Sequence, residues 1–479
     1  MSISDVVFIF SFLPIVIFIY YISRVRLRKY ILLLFSLLFY ACGAVEYLLL
    51  LIVCMCLNIV LGYNIARNRD KKILSSGLVI FGIVFNVSIL VYYKYFDVAL
   101  EAAGHLFGRE IIKRNIGLPL GISFFTFKAI SYLVDIYMNR IHEYGDPIEA
   151  ALYMSFFPQI QSGPLSRYED MIVCNAGCII DKEICFDDIS EGIYQFIIGF
   201  QKKMLLANVL SNITIETFSA SPEYMSAGYA WLGAVCYSLQ LYYDFSGYSD
   251  MAVGISRMFG YRCPHNFDYP YWADSVSVFW RKWHITLGAW FRDYVYIPLG
   301  GSRSCGEVKW KTYRNLFIVW ALTSIWHGVS WNFMFWGMGY FVAISLEKMT
   351  GWPFEIKSKT GKIIYRMSML LFINFQWVIF RAEGFRKGVQ YILNMFGAVS
   401  NPIADARALF LLKDYVFFIL IGVMLCFPIV PWAEKKIQQR NKIKELWGAF
   451  AVVIHVLLFI WSVSMAVAGR NNPFAYANF

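Results

Sequence analysis

The run EYLLLLIVCMCLNIVLGYNIA, Glu46–Ala66, decides what kind of protein this is. Between Glu46 and Arg67 it carries no charged side chain. As a helix rising 1.5 Å per residue it would span about 30 Å, the thickness of a bilayer's hydrocarbon core. Comparable runs recur near residues 6–23, 29–44, 73–95, 116–137, 190–212, 228–258, 314–328, 331–347, 363–381, 413–432 and 445–468. The whole chain agrees: 479 residues, 59% hydrophobic, 19% aromatic and only 16% charged, with a mean hydropathy of +0.53. Soluble domains are roughly 45–50% apolar. In lipid every backbone polar group must be satisfied within the segment, and no alternating ten-residue strand pattern appears, so the runs are helices. The expected fold is all-α and polytopic, with about 11–12 transmembrane helices plus short re-entrant or interfacial ones.

Charge sets the expected topology. Arg24, Arg26, Arg28 and Lys29 follow the first run and mark a cytoplasmic loop, which puts the N-terminus outside. Arg67, Arg69, Lys71 and Lys72 fall inside again two crossings later, and EKKIQQRNKIKE, Glu434–Glu445, reads as cytoplasmic too. Met1–Asp5 carries no basic residue, and RVRLRK replaces a small-residue cleavage site, which argues against a removable signal peptide. The net charge of +11 thus reflects loop asymmetry and anionic lipid, and gives no support to a nucleic-acid partner.

Ten cysteines require little chemistry. Cys42, Cys54, Cys56, Cys236 and Cys426 lie in or beside apolar runs, where free cysteine behaves as a small hydrophobe. Cys174, Cys178 and Cys185 share a loop expected to face the reducing cytosol. No histidine lies nearby as a fourth zinc ligand, so no metal site is expected. No linker, low-complexity tract or internal repeat divides the sequence. A single membrane domain over 1–479 is expected, with N-terminal helices to about residue 115, a catalytic core over about 116–350 and C-terminal helices over about 360–479.

One stretch is anomalous. FWRKWHITLGAWFRDYVYIPLGG, Phe279–Gly301, sets Arg281, Lys282, His284, Arg292 and Asp293 among aromatic and aliphatic side chains. Read as one helix, it places Trp280, His284, Leu287 and Phe291 on one face, with Arg281, Gly288 and Arg292 on the neighbouring one. Such a helix cannot span. It can lie in the interface with its basic heads reaching water or phosphate, or dip into a cavity lined by protein.

Six histidines bear on that choice. His105 and His142 sit in loops, His265 belongs to CPHNFDYPYW, and His455 inside the last apolar run reads as a packing residue. His327 differs. In ALTSIWHGVSWNF it ends an apolar run before Gly328, about 20 Å along a helix axis from Arg314 at 1.5 Å per residue. An ionisable side chain at membrane depth must face a cavity or a partner. Low dielectric disfavours an imidazolium there, leaving a neutral ring that suits a general base, while interhelical glue is the structural alternative. Other catalytic templates are missing from the sequence: G-x-S-x-G, H-E-x-x-H, Walker A and G-x-G-x-x-G.

The motifs LPLGISFFTFKAISYLVDIY (Leu118–Tyr137), FFPQIQSGPLSRY (Phe156–Tyr168), YYDFSGYSDMAVGISRMFG (Tyr242–Gly260), NFDYPY (Asn266–Tyr271), the Phe279–Gly301 string and WHGVSWNF (Trp326–Phe333) together resemble the membrane-bound O-acyltransferase family, in particular its bacterial alginate O-acetylation type. The likeness covers almost the whole chain in order. It implies a ring of tilted helices around a thin core, with re-entrant helices forming a channel. It also implies transfer of an acyl group, usually acetyl, from a cytoplasmic thioester donor to a hydroxyl outside. The donor is acetyl-coenzyme A or an acyl carrier, used as a substrate, with no tightly bound cofactor. Implied partners are membrane lipid, a polysaccharide acceptor and an extracytoplasmic esterase-like acetyltransferase, in a bacterial inner membrane.

By the same resemblance His327 is the catalytic residue and His284 a second histidine of the channel, orienting the donor or hydrogen-bonding the oxyanion. Trp280, Arg281, Arg292, Asp293, Trp326, Asn266, Asp244, Gln159 and Ser162 are the other channel and substrate candidates on these motifs. Lys128 departs from the pattern, standing where an uncharged residue, commonly glutamine, is expected. The helices beyond about residue 413 favour the acetylating branch over the shorter D-alanyl transferases, which remain an alternative. A non-enzymatic transporter with Asp244, Asp250, Lys128 and His327 on a proton or substrate path is the alternative from another class.

Overall fold

In the computed structural model the described residues are 1–108, 116–141, 146–171, 186–221, 223, 225–301, 309–398, 402–437, 441–469 and 472–474. His142, Cys174, Cys178 and Cys185 lie outside them. The described chain is all-helical apart from one isolated bridge between Phe267 and Trp283. It forms two compact units, one of residues 1–198 with 248–265, the other of residues 199–247 with 266–475.

The first unit begins with α1 (Leu13–Ile22), α2 (Arg28–Ala44), α3 (Leu48–Arg67), α4 (Lys72–Phe107) and α5 (Ile122–Tyr137). Two short helices follow, α6 (Pro147–Ser155) and α7 (Phe157–Ile160). α6 starts where Asp146 accepts from the Ile148 N–H at 2.8 Å with Pro147 at the first helical position, a proline-and-cap signature. Two buried amides inside the unit pair with each other. Asn58 of α3 and Asn86 of α4 exchange amide hydrogen bonds at 3.1 and 2.7 Å, and each also donates to the carbonyl four residues back. The unit also takes in part of α8 (Phe186–Gln201), the end of α10, described below, from residue 248 on, and the segment after it to residue 265. There the two backbones cross at Gly192 and Gly254. A Cβ on either glycine would come within 2.7 or 2.5 Å of the other's carbonyl oxygen, so only glycine permits the approach.

The second unit contains α9 (Asn208–Ser219), α10 (Ala227–Met258) as far as Gly247, the short helices α11 (Val276–Lys282) and α12 (Ile285–Phe291), and α13 (Lys309–His327). It continues with α14 (Trp331–Thr350), α15 (Lys359–Arg381), α16 (Phe385–Met395), α17 (Ala406–Leu425), α18 (Ile429–Ile437) and α19 (Asn441–Val467). Its interior is aromatic: Trp283, Trp336, Trp377 and Tyr340 are each almost fully buried.

Among the described residues, five segments are long and apolar enough to cross a membrane: Val25–Arg67, Lys72–Phe107, Lys359–Arg381, Ala406–Leu425 and Leu446–Val467. That is fewer than the 11–12 expected, because helices such as α10 and α13 interleave Tyr, Ser, Asp or Lys with their apolar residues. Two sequence expectations are corrected. The run expected over 413–432 is displaced: α17 starts at the Asp405 cap, whose carboxylate accepts the Ala408 N–H at 2.6 Å, and stops at Leu425, short of Pro428. The Phe279–Gly301 string is not one helix, because Trp283 is extended and His284 is left-handed between α11 and α12.

Candidate functional site

The break at Trp283–His284 builds the site. Ser275 caps α11 through the Val278 N–H at 3.0 Å. Beyond it, Lys282 to Ile285 runs beside Asn266 to Asp268 as a short antiparallel bridge, with Asp268 N–H on the Lys282 carbonyl and Ile285 N–H on the Asn266 carbonyl, both at 3.0 Å. His284 then takes φ +47° and ψ +51°. For a residue with a Cβ that conformation costs about 1–2 kcal/mol. It turns the chain into α12 and buries the imidazole, which is 3% exposed.

Asn266 receives this turn. Its Oδ1 lies 3.2 Å from His284 Nδ1 and accepts from the Thr286 N–H at 3.1 Å and the Thr286 hydroxyl at 2.9 Å. Phe245 sets its ring edge-on to the imidazole with centroids 4.6 Å apart. Burial holds the His284 pKa well below its ordinary value, so the ring is neutral at physiological pH.

His327 is the last residue of α13, as the sequence reading expects, with Gly328 breaking the chain before α14. It is 5% exposed and ringed by Trp326, Trp336, Phe380 and Phe333, with centroids at 4.5, 5.0, 5.1 and 6.3 Å. Trp326 is the common neighbour of the two histidines, since its ring also lies 6.5 Å from that of His284. A cavity of about 210 Å³ opens beside His284, lined by Trp280, Leu287, Gly288, Phe291, Arg292 and Thr323 among others. His327 does not line it among the described residues.

The remaining candidates divide. Trp280 lines that cavity and packs on Trp320, Trp336 and Tyr340 at 4.9, 5.7 and 4.8 Å. Arg292 lines it too, and grips Asp293 through two hydrogen bonds at 2.8 and 3.2 Å. Arg281 faces elsewhere, into a cavity of about 410 Å³ with Lys348 and Glu347. Asp244 is paired with Lys203 at 2.6 Å, both buried. Gln159 and Ser162 belong to the first unit. The Gln159 amide is occupied there by Lys128 Nζ at 2.6 Å, Ser166 at 2.9 Å and Cys263 at 2.8 Å. Ser162 donates its N–H to Tyr248 at 3.4 Å. Lys128, unexpected in its motif, is thus accommodated by Gln159 and by the Tyr153 carbonyl at 2.9 Å. His455 accordingly packs as a structural residue, 2.9 Å from Gln201.

Two partners of the candidate residues and their helices were missed in the sequence. Lys203 lies on a π-helical turn, Lys202–Ala207, and nothing local marks it as a partner for Asp244. Glu347, near the end of α14, accepts from Val276 N–H at 2.6 Å, Ser277 N–H at 2.9 Å, the Ser277 hydroxyl at 2.5 Å and Tyr365 at 2.5 Å. It anchors the positive N-terminal end of α11, and with it Trp280 and His284. A glutamate almost wholly preceded by apolar residues along its helix was the available signal. Replacing Glu347 with leucine leaves several buried donors unsatisfied and is expected to cost about 3 kcal/mol or more. A thermal midpoint in detergent that stays put would contradict this anchoring.

The profile of the membrane-bound O-acyltransferase family matches residues 122–383, which include both histidines. The chain is 35% identical over 387 residues to the probable alginate O-acetylase AlgI of Pseudomonas aeruginosa, covering 80% of this chain and 72% of that protein. It is 33% identical over 430 residues to the peptidoglycan O-acetyltransferase of Helicobacter pylori, covering 81% and 79%. To the teichoic acid D-alanyltransferase of Bacillus subtilis it is 30% identical over 233 residues, covering 47% and 58%. These matches set aside the transporter reading. With its motifs in order and its two buried histidines inside the matched region, this multi-pass chain belongs to the membrane-bound O-acyltransferase family and is an O-acyltransferase.

Proposed function

We propose that the chain moves an acetyl group from a cytoplasmic thioester donor to hydroxyls of an exported polysaccharide. The observation that carries the reading is the pair of buried histidines flanking Trp326 within the family region. A sugar hydroxyl is a poor nucleophile. His327 takes its proton as the oxygen attacks the thioester carbonyl; a C–O bond forms, the C–S bond breaks, and the thiolate leaves with the proton. Arg292, at the edge of the His284 cavity, is placed to meet an anionic part of the donor, acetyl-coenzyme A or an acyl carrier. The donor is a substrate, with no resident cofactor. Transfer to the polymer is direct, or passes through an extracytoplasmic esterase-like acetyltransferase whose hydroxyl takes the place of the sugar's in the same step. The chain sits in a bacterial inner membrane with its N-terminus outside, as the basic loops direct.

Coverage favours acetyl over D-alanyl transfer: the D-alanyltransferase match extends over 47% of this chain, against 80% and 81% for the acetylating relatives. Mass spectrometry of the surface polymers of cells with and without this chain tests the reading. Loss of O-acetyl ester from one polymer is the expected result. Unchanged acetyl content with lost D-alanyl ester would replace it with the D-alanyl reading.

A further inference from the structure

We infer that Asn266 is a positioning residue that fixes His284 in the Nδ1–H tautomer, so that His284 meets substrate through Nε2 as a hydrogen-bond acceptor and not as an oxyanion donor. The inference rests on the proposed acyl transfer for its consequence, though not for the tautomer itself.

The assignment follows from one unambiguous donor. A backbone N–H can only donate, and the Thr286 N–H points at the Asn266 side chain at 3.1 Å. The atom facing it is therefore the amide oxygen, not the amide nitrogen. That oxygen carries no proton, so the hydrogen shared with His284 Nδ1, 3.2 Å away, belongs to the imidazole. A neutral ring has one N–H, and with it on Nδ1 the lone pair is on Nε2.

The neutral form is the relevant one. His284 is buried, and the rings packed against it, Phe245 and Trp326, offer no countercharge to an imidazolium. No acidic side chain lines its cavity among the described residues. Asn266 is itself 2% exposed and bonds the two residues that follow the left-handed one, Thr286 through its side chain and the Ile285 N–H through its own carbonyl. The strained turn and the amide thus act together: one aims Nδ1 at Asn266, and the other determines which nitrogen carries the proton.

The consequence is chemical. Stabilising a tetrahedral oxyanion needs an N–H aimed at the oxygen, and a neutral His284 held in this tautomer cannot provide it from Nε2. It can accept a hydrogen bond from a substrate O–H or N–H, which assigns it to holding the hydroxyl acceptor or the amide-containing arm of the donor.

The test is the nitrogen-15 spectrum of the full chain in detergent, with histidine labelled and His284 assigned by its loss in His284→Gln. The expected result at pH 7 is a protonated Nδ1 and an unprotonated Nε2. A dominant Nε2–H form in the unsubstituted protein would overturn the inference, and this readout needs neither activity nor a variant of Asn266. Asn266→Leu should mix the tautomers and lower kcat by between about 10-fold and the roughly 10⁴-fold of a wrong tautomer in a catalytic triad, with KM little changed. Asn266→Asp keeps every acceptor function and adds a negative charge. It should restore the tautomer and move the acid limb of the pH–rate profile upward, because the carboxylate favours the imidazolium. An unaltered spectrum and kcat in Asn266→Leu would also overturn it. If the chain proved not to transfer acyl groups at all, the spectrum would still decide the role of Asn266.

Discussion

Replacing His327 with alanine is expected to lower acyl transfer by roughly two to four orders of magnitude, the range of a positioned general base. The side chain sits among Trp326, Phe333, Trp336 and Phe380, so alanine also opens a void in an aromatic cage. His327→Gln is the better-matched variant because it fills more of that space while offering no comparable base. Equal loss of polymer acetylation in both variants, at normal protein levels, would place the effect in the chemistry. Acetylation that persists in His327→Gln would remove His327 from the reaction and leave it a packing residue.

The buried pair Lys203–Asp244 is expected to give the largest change in stability. Both side chains are nearly inaccessible, at 1% and 4% exposure, with 2.6 Å between the charged atoms. Lys203→Met leaves a carboxylate buried without its cation and should cost about 3–5 kcal/mol. Adding Asp244→Leu removes the orphaned charge, and the double variant should recover most of that loss. Thermal midpoints in detergent, measured for the two single variants and the double, read this directly. The same series separates structure from chemistry. If the double variant is stable and active, Asp244 is a structural ion-pair member. If it is stable and inactive, Asp244 belongs to the substrate path, as its motif suggested.

The fold was largely legible because hydropathy records burial in lipid residue by residue. The apolar runs over 29–44, 46–66, 228–258 and 331–347 match α2, α3, α10 and α14 to within three residues at each end. The short helices were not legible. α16, Phe385–Met395, buries Gly388, Tyr391 and Met395 at helical spacing, yet Arg386 and Lys387 keep it from standing out as an apolar run. The string at Phe279–Gly301 has a helical pattern throughout, and nothing in its own residues announces a left-handed histidine in the middle. That conformation depends on Asn266, whose carbonyl and side chain lie eighteen or more residues away in sequence.

The site shows the same division. His327 was visible because a histidine at the end of a long apolar run is costly unless something uses it, a one-dimensional signal. The partners of Gln159, Asp244 and Arg281 were not visible, since a polar residue in an apolar setting declares a need without naming what meets it. Sequence by itself thus determined an all-helical, multi-pass acyltransferase and singled out two histidines as its candidates, because hydrophobic periodicity and motif order are properties of the chain. Tertiary structure alone decided that the Phe279–Gly301 string breaks at His284, that Arg281 and Arg292 face different cavities, that Asn266 and Glu347 hold α11 and α12, and that Lys203 meets Asp244. Those are long-range pairings of buried polar groups, and each depends on where another segment places its donor or acceptor.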